Sequence, residues 1–409
     1  MEAIPLHDKA WQRTLWIMFS AQLLSAIGFS TIFPFLSLYV HSLGSVWNLN
    51  LDFLAAMVFT GQGLTMMISS PIWGAVADRY GRKLMSQRAM FGGAIIILLM
   101  AFARSAEDLV FLRIIQGMIT GTVAASNALV ASVVPKERSG YAMGVMQTGL
   151  WTGVAIGPLI GGVTADFIGY RAAFVITAVL LVIGGFLVMW GVEEKFVAPS
   201  KAKGSVLDFS SWWKLLSSHG VSSVFGVRFL AFLSRTLLVP FAPIYMALLM
   251  AGSNRVGSMT GLMVGLSSAA GTFSAIYLGR LGDRFGHRHI LLISTLIAAL
   301  ISLPQAFVTS VWQLLLLQVL LGISYGGIMP ALSALLTHYT DQAEVGAVYG
   351  LDNSVSSASR AVAPLIGAAV VSAFGLRSLF IVMSLMLLAA LWLSLRRLPI
   401  NQTSALAHD

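Results

Sequence analysis

Very few side chains in this sequence could do chemistry inside an apolar environment. Of sixteen Asp and Glu, only Asp352 lies well within a long apolar segment. A carboxylate taken out of water can carry protons, because burial raises its pKa toward neutrality. Asn353 follows it, and Arg360 stands eight residues on, about 80° round the same helix. Arg228 and Arg235 are seven apart and so share a helical face. Arg113 lies about 5 residues, roughly 8 Å, inside another apolar segment. Charges at such depth are functional candidates by default, because hydrocarbon makes them costly. Asp352 has two open readings, proton carrier or structural ion-pair partner of Arg360 or of Arg228 or Arg235. Arg113 either biases a neighbour's protonation from a cavity wall or snorkels to the interface. Arg228, Arg235 and Arg360 against one acid make a positive cavity, which favours anionic, zwitterionic or neutral ligands over cations. Snorkelling of Arg228 to the cytoplasmic surface would soften that argument. Gln22, at the position in the first half equivalent to Arg228, and Gln147 join Asn353 as polar cavity candidates, with Phe29, Gln62, Asn127, Trp151, Tyr245 and Tyr325 as weaker ones.

Catalysis finds no foothold. All seven His fall in tails or loops, and neither HExxH nor a pair of acids occurs inside an apolar segment. Gly322-Ile323-Ser324-Tyr325-Gly326 matches the G-x-S-x-G pattern by letters, but that elbow needs a strand-to-helix turn and this copy lies in an apolar helix. The Asn401-Gln402-Thr403 sequon sits on a tail assigned below to the cytoplasm. The chain is expected to be no enzyme, with no cofactor and no metal site.

These side chains need long apolar helices to hold them. Hydrophobic residues make up 57% of 409 positions and charged residues 10%, against roughly 25% charge in a soluble domain. Spans of about 20 apolar residues are what a bilayer requires, and inside it the backbone must bond to itself, hence helices. Twelve spans are expected near 14–40, 53–75, 89–104, 108–132, 142–166, 172–191, 222–249, 257–279, 290–308, 313–336, 346–373 and 377–395. The net charge of +9 is a topology signal rather than a nucleic-acid footprint: with both termini in the cytoplasm, seventeen of 25 Lys and Arg fall on that side, four outside and four within spans. No cleavable leader is visible, and the first apolar segment reads as an uncleaved anchor. With no cysteine there are no disulfides or thiolate metal sites.

The two halves repeat at a constant offset. Phe33-Pro34-Phe35 through Tyr39 matches Val239-Pro240-Phe241 through Tyr245 at 206, and Gly74-x-x-x-Asp78-Arg79-x-Gly81 matches Gly279-x-x-x-Asp283-Arg284-x-Gly286 at 205. Gly117 matches Gly322, and Pro158 matches Pro364. The expected organisation is a six-helix bundle over 1–192, a cytoplasmic linker over 193–220 with a short interfacial helix or a membrane-touching loop at 205–218, and a second six-helix bundle with a short tail over 221–409. An even number of spans per repeat relates the halves by an axis along the membrane normal, the arrangement alternating access requires.

Three segments carry a resemblance. The loop Gly74-Ala-Val-Ala-Asp78-Arg79-Tyr-Gly81-Arg82-Lys83 pairs glycines for close approach and turning with an acid placed to meet helix N-termini. Gly149-x-x-x-Gly153-x-x-x-Gly157-Pro158-x-x-Gly161-Gly162 puts a smooth stripe along one helix, with a proline that bends it. Leu112-Arg113-Ile-Ile-Gln116-Gly117-x-x-x-Gly121 places an arginine in the fourth span. Together they resemble the major facilitator superfamily, its drug:proton antiporter branch with twelve spans; within it, FPFLSLYV at 33–40, SPIWGAVADRYGRKLM at 70–85 and SNALVASVVP at 126–135 resemble bacterial MdtG-like multidrug efflux proteins. The resemblance implies the following roles. Gly74, Asp78, Arg79, Gly81, Arg82, Asp283 and Arg284 form a cytoplasmic latch; Gly149, Gly153, Gly157, Pro158 and Gly161 form the antiporter helix; Arg113 is tied to proton coupling. Family members that export lipophilic cations commonly use acids in the first span, and this first span has none.

The expectation is a monomeric, multi-pass transporter of the plasma membrane (the inner membrane if bacterial). It would exchange protons for small amphipathic or drug-like compounds by alternating access, with no nucleic-acid partner. The alternatives are a proton symporter or facilitator for an organic anion or sugar, and a transporter-like sensor that binds without moving substrate.

Overall fold

A computed structural model describes residues 7–119, 121–135, 138–194, 219–339 and 345–398. The possible interfacial helix at 205–218 lies outside them. Among the described residues the chain is helical throughout: α1 (His7–Thr31), α2 (Leu36–Leu43), α3 (Leu51–Tyr80), α4 (Arg82–Met100), α5 (Ala106–Ile119), α6 (Thr122–Val133), α7 (Ser139–Phe167) and α8 (Tyr170–Gly191), followed by α9 (His219–Leu237), α10 (Ala242–Leu249), α11 (Val256–Phe285), α12 (His287–Ser302), a 3-10 turn (Leu303–Phe307), α13 (Val311–His338), α14 (Val345–Phe374) and α15 (Ser378–Arg397). Each of the twelve expected spans falls on these helices. Among the described residues ten helices are long and apolar enough to cross a membrane, and the bent pair α9–α10 makes an eleventh.

The expected spans that differ from single helices are broken, each at a place where the backbone finds other partners. Spans one and seven break at repeat-related prolines. The chain turns through Phe33-Pro34, where the Leu36 N–H bonds the Ile32 carbonyl at 3.1 Å, and again through Val239-Pro240, where the Phe241 N–H bonds the Leu238 carbonyl at 3.0 Å. Span four is divided at Gly121, whose φ of 143° only glycine adopts readily. One stripe of α3 stitches the end of α5: Thr65, Ser69 and Trp73 donate to the carbonyls of Ile114, Gly117 and Met118 at 2.9, 3.0 and 2.6 Å. In the second half Ser267 and Ser274 donate likewise to Gln318 and Ile323 on α13. Leu278 stands there where Trp73 stands in the first half and has no donor to offer, and α13 runs unbroken past Gly326.

Two compact units result. One holds the described residues up to 194 together with Ala242–Leu266; the other holds those from 219 to Phe241 and from Ser267 on. In the first unit, Phe35, Tyr39 and Phe174 anchor one part of the core and Trp11, Leu15 and Met90 another. Outside the spans, the Glu107 carboxylate cradles the loop before α3, accepting from the Ser45 hydroxyl and from the N–H groups of Val46 and Trp47. Those donors, the Ser45 hydroxyl first, hold its pKa down to about 2.

The glycine stripe of α7 is built for backbone contact. A Cβ at Gly153 would stand 2.5 Å from that of Ala26 and 2.9 Å from the Leu23 carbonyl, and one at Gly157 or Gly161 would strike the carbonyls of Ile27 or Thr31, all on α1. Ser30 on α1 donates back to the Gly153 carbonyl at 3.0 Å. Gly140 and Gly144 begin the same helix with open space around them. Overpacking at Gly161 therefore predicts that Gly161→Ala lowers unfolding stability in detergent by about 1–3 kcal/mol. Gly144→Ala should be neutral or raise it by up to about 1 kcal/mol, because alanine favours helix. Thermal melts of the two variants check both signs.

Candidate functional site

The strongest electrostatic contact inside the spans lies in the second unit. Arg228 on α9 meets Asp352 on α14, Nε to Oδ1, at 2.6 Å, with each side chain only 10% exposed. An Arg228 Nη1 also donates to the Ser333 hydroxyl on α13 at 3.2 Å. Asp352 is the single buried acid among the described residues. Its partner is thus the span-seven arginine and not Arg360, and Arg228 is held in the interior rather than snorkelling to the surface. Arg360, eight residues along α14, is exposed, and among the described residues it donates to the Ser356 carbonyl of its own helix, from Nε at 3.4 Å. Arg235 is half-buried, with its guanidinium carbon 5.5 Å from the centroid of the Tyr325 ring. The Tyr325 hydroxyl donates to Ser234 at 3.2 Å. The structure therefore gathers Arg228, Arg235, Asp352 and Tyr325 around α9. The Asn353 side chain lies outside the described set.

In the first unit, Arg113 is 2% exposed, which overturns the snorkelling alternative. It donates to the Gln116 side chain at 2.7 Å and lies over the Phe59 ring at 5.8 Å. Gln22 is 1% exposed, and its amide has no hydrogen-bond partner among the described residues. Gln147 is exposed on α7. Gly149, Gly153, Gly157, Pro158 and Gly161 form one continuous helix, and α7 passes through Pro158 without interruption.

The latch residues divide. Gly81 joins α3 to α4 with φ 99°, as a tight turn requires. Arg79 is exposed and Arg82 partly so. The backbone places Gly74 and Asp78 in the last turns of α3, but their side chains lie outside the described set. In the second copy Asp283 meets His287 at 3.2 Å, one turn on in sequence, and Arg284 is exposed. Among the described residues nothing lies within 4 Å of where a Gly279 side chain would begin, so no close helix approach among them explains the glycine there.

Two acids that the sequence reading passed over do the work of capping helix N-termini. Glu194 accepts from the N–H groups of Arg82 and Lys83 at 3.0 and 2.8 Å, at the start of α4. The second half makes the equivalent junction with a cation: Arg288, at the start of α12, donates to the carbonyl of Leu398 at 2.9 Å. Asp166, near the end of α7, accepts from the N–H groups of Gly257 and Ser258 in the first turn of α11 at 2.9 and 2.6 Å. An acid near its own helix C-terminus opposes that dipole, so its stabilisation comes from the free N–H groups of the other helix. Below this cap the backbones close: a Cβ at Gly257 would stand 3.0 Å from the Gly162 carbonyl, one at Gly265 2.7 Å from the Ala155 carbonyl, and one at Gly261 would strike the Pro158 carbonyl. The signal was present as Asp166 after a glycine stripe, but its partner lies 91 residues away.

Residues 18–225 and 224–407 each match the family model described as Major Facilitator Superfamily. Multidrug resistance protein MdtG of Dickeya zeae (strain Ech586) is 34% identical over 390 residues, covering 95% of this chain and 95% of that protein. The protein of the same name from Serratia proteamaculans (strain 568) is 34% identical over 392 residues, again 95% of each. Among solved structures, that of the nucleoside transporter NupG superposes with a TM-score of 0.80 at 13% identity, covering 94% of this chain and all of that one. Both the superfamily resemblance and the MdtG-like one are borne out.

The α7–α11 clasp joins the two sequence repeats and so should respond to removal of its charge. Hydrogen bonds to a charged group are worth about 1.5–3 kcal/mol each. The chain has no cysteine of its own, so one introduced at Ser258 reports alone. Asp166→Asn should speed its labelling by a hydrophilic maleimide by about tenfold or more, the factor 1.4 kcal/mol represents. Asp166→Glu should stay near the parent rate.

Proposed function

We propose, for a chain that belongs to the Major Facilitator Superfamily, that it exports small amphipathic or drug-like compounds in exchange for protons. The protein is a multi-pass membrane transporter. Support for export of such compounds is the 34% identity over nearly the whole length to proteins named for multidrug resistance. The family membership supports placement in the bacterial inner membrane, and the Lys and Arg asymmetry supports cytoplasmic termini.

The observation that carries proton exchange is the buried Arg228–Asp352 pair. With Asp352 ionised the pair is neutral and ties α9 to α14. A proton on Asp352 removes the negative partner and leaves Arg228 as an uncompensated charge. Removing one partner of a buried pair is worth about 3–5 kcal/mol. The two protonation states thus differ strongly in how α9 and α14 hold together, and such a difference lets a proton bias one conformation over another. Arg113 sits in the other unit with its charge fully buried and no ion pair among the described residues. It supplies a second fixed positive charge that the coupling cycle must accommodate. We assign the latch role to the α3–α4 turn with Arg79, Gly81 and Arg82 beside Gly74 and Asp78, and to Asp283 and Arg284 in the second copy. On the same reading α7, seated on α1 and clasped to α11, is the antiporter helix, and the transporter works as a monomer.

Purified protein in liposomes loaded with a pH-sensitive dye tests the exchange. Adding a transported amphiphile should release protons in the parent, and Asp352→Asn should reduce that release by more than about tenfold while unlabelled-for-labelled substrate exchange continues. The double variant Arg228→Gln, Asp352→Asn, which leaves no orphaned charge, should fold as stably as the parent and still move no protons. Proton release that survives Asp352→Asn removes Asp352 from the proton path.

A further inference from the structure

The second unit carries three guanidinium groups on α9 and α14 and one buried carboxylate to match them. Asp352 neutralises Arg228. What remains is Arg235 and Arg360, and neither has an ion-pair partner among the described residues.

The two helices run in the same direction and stay in contact beyond this point. Ser359 donates to the Phe229 carbonyl at 3.3 Å. Eight residues further on each helix, a Cβ at Gly367 would lie 3.2 Å from the Leu237 carbonyl. Arg235 is seven residues past Arg228, and Arg360 is eight past Asp352, advances of about 10 and 12 Å. Both arginines therefore lie on the same side of the neutral pair along the helices. Arg235 rests against the Tyr325 ring face. Arg360 makes one long bond to its own helix and is exposed although it stands mid-helix.

Two unmatched like charges at membrane depth are costly without a counter-charge. A guanidinium offers five N–H donors in a planar fork that suits an oxyanion. We propose that Arg235 and Arg360 together form a subsite for the oxyanion head of a small organic acid, with Tyr325 as an apolar wall beside it. The proposal rests on the transport reading and deepens it by giving the substrate its charge.

Binding to the purified full chain, followed by calorimetry, tests this with three probes that share one apolar body: 4-phenylbutyrate, 4-phenylbutanol and 4-phenylbutyl-trimethylammonium. The carboxylate should bind at least about tenfold more tightly than the other two, since charge-assisted bonds exceed neutral ones roughly twofold in strength. Arg360→Gln, at an exposed position, should weaken the carboxylate by about tenfold and leave the alcohol within about twofold. Arg235→Lys keeps the charge and loses the fork, so it should weaken the carboxylate less than Arg235→Gln does. Competition by inorganic phosphate would show that the head alone is recognised; its absence would show that the subsite needs the organic body as well. Equal binding of the three probes, no binding of the carboxylate, or an equal loss for all three in Arg360→Gln overturns the subsite. Arginine-dependent carboxylate binding without liposome flux keeps the subsite and removes the transport reading. Flux of the alcohol that is indifferent to both arginines keeps transport and removes the subsite.

Discussion

A backbone surrounded by hydrocarbon has no water to bond with, and the architecture of this protein follows from that constraint. It makes every expected span helical and limits where a helix can stop. Each break comes with replacement bonds. The turns at Pro34 and Pro240 close their own short-range bonds, and the end of α5 receives hydroxyl and indole donors from α3. The two copies of the repeat differ where a donor differs. Trp73 supports an interruption at Gly121, while Leu278 cannot, and α13 continues past its own glycine.

Removing side chains from α7 turns the same constraint into close packing. With lipid tails as apolar as leucine, helices gain little from hydrophobic burial against one another, so contact between backbones decides which helices pair. The glycines of α7 seat it on α1, and its final turns meet the start of α11, where Asp166 satisfies N–H groups that have no partner in their own helix. Within one compact unit, α7 is thus gripped on two sides, by α1 and by the first turns of α11.

Charge is the scarce material in such a protein. One acid and three arginines occupy α9 and α14. The acid pairs with Arg228 and forms a neutral pair that lasts only while Asp352 is ionised. The other two arginines, Arg235 and Arg360, have no ion-pair partner among the described residues. On the proposed function, proton and substrate act on adjacent parts of one helix pair, a short physical route for coupling that needs no relay across the molecule.

The span positions, the duplication, the family and the candidate charges were all legible in the sequence, because each depends on local composition or on a fixed offset along the chain. The helices of α7 and α9 lie where apolar length put them, and the glycine stripe was visible as a stripe from its spacing of four. Only the tertiary structure decided the partners. Arg228 and Asp352 are 124 positions apart in sequence and 2.6 Å apart in the fold. Spacing within one helix pointed equally to Arg360, which turns away. Arg113 looked close enough to the interface to snorkel, but the packing around Phe59 and Gln116 encloses it. Glu194 and Asp166 carried no assignment in the sequence, because the helix N-termini they cap, those of α4 and α11, are brought to them only by the fold. Periodicity tells which face of a helix is apolar, but the rotation and depth at which two helices meet are set by all their contacts at once, and a 2.6 Å ion pair depends on both.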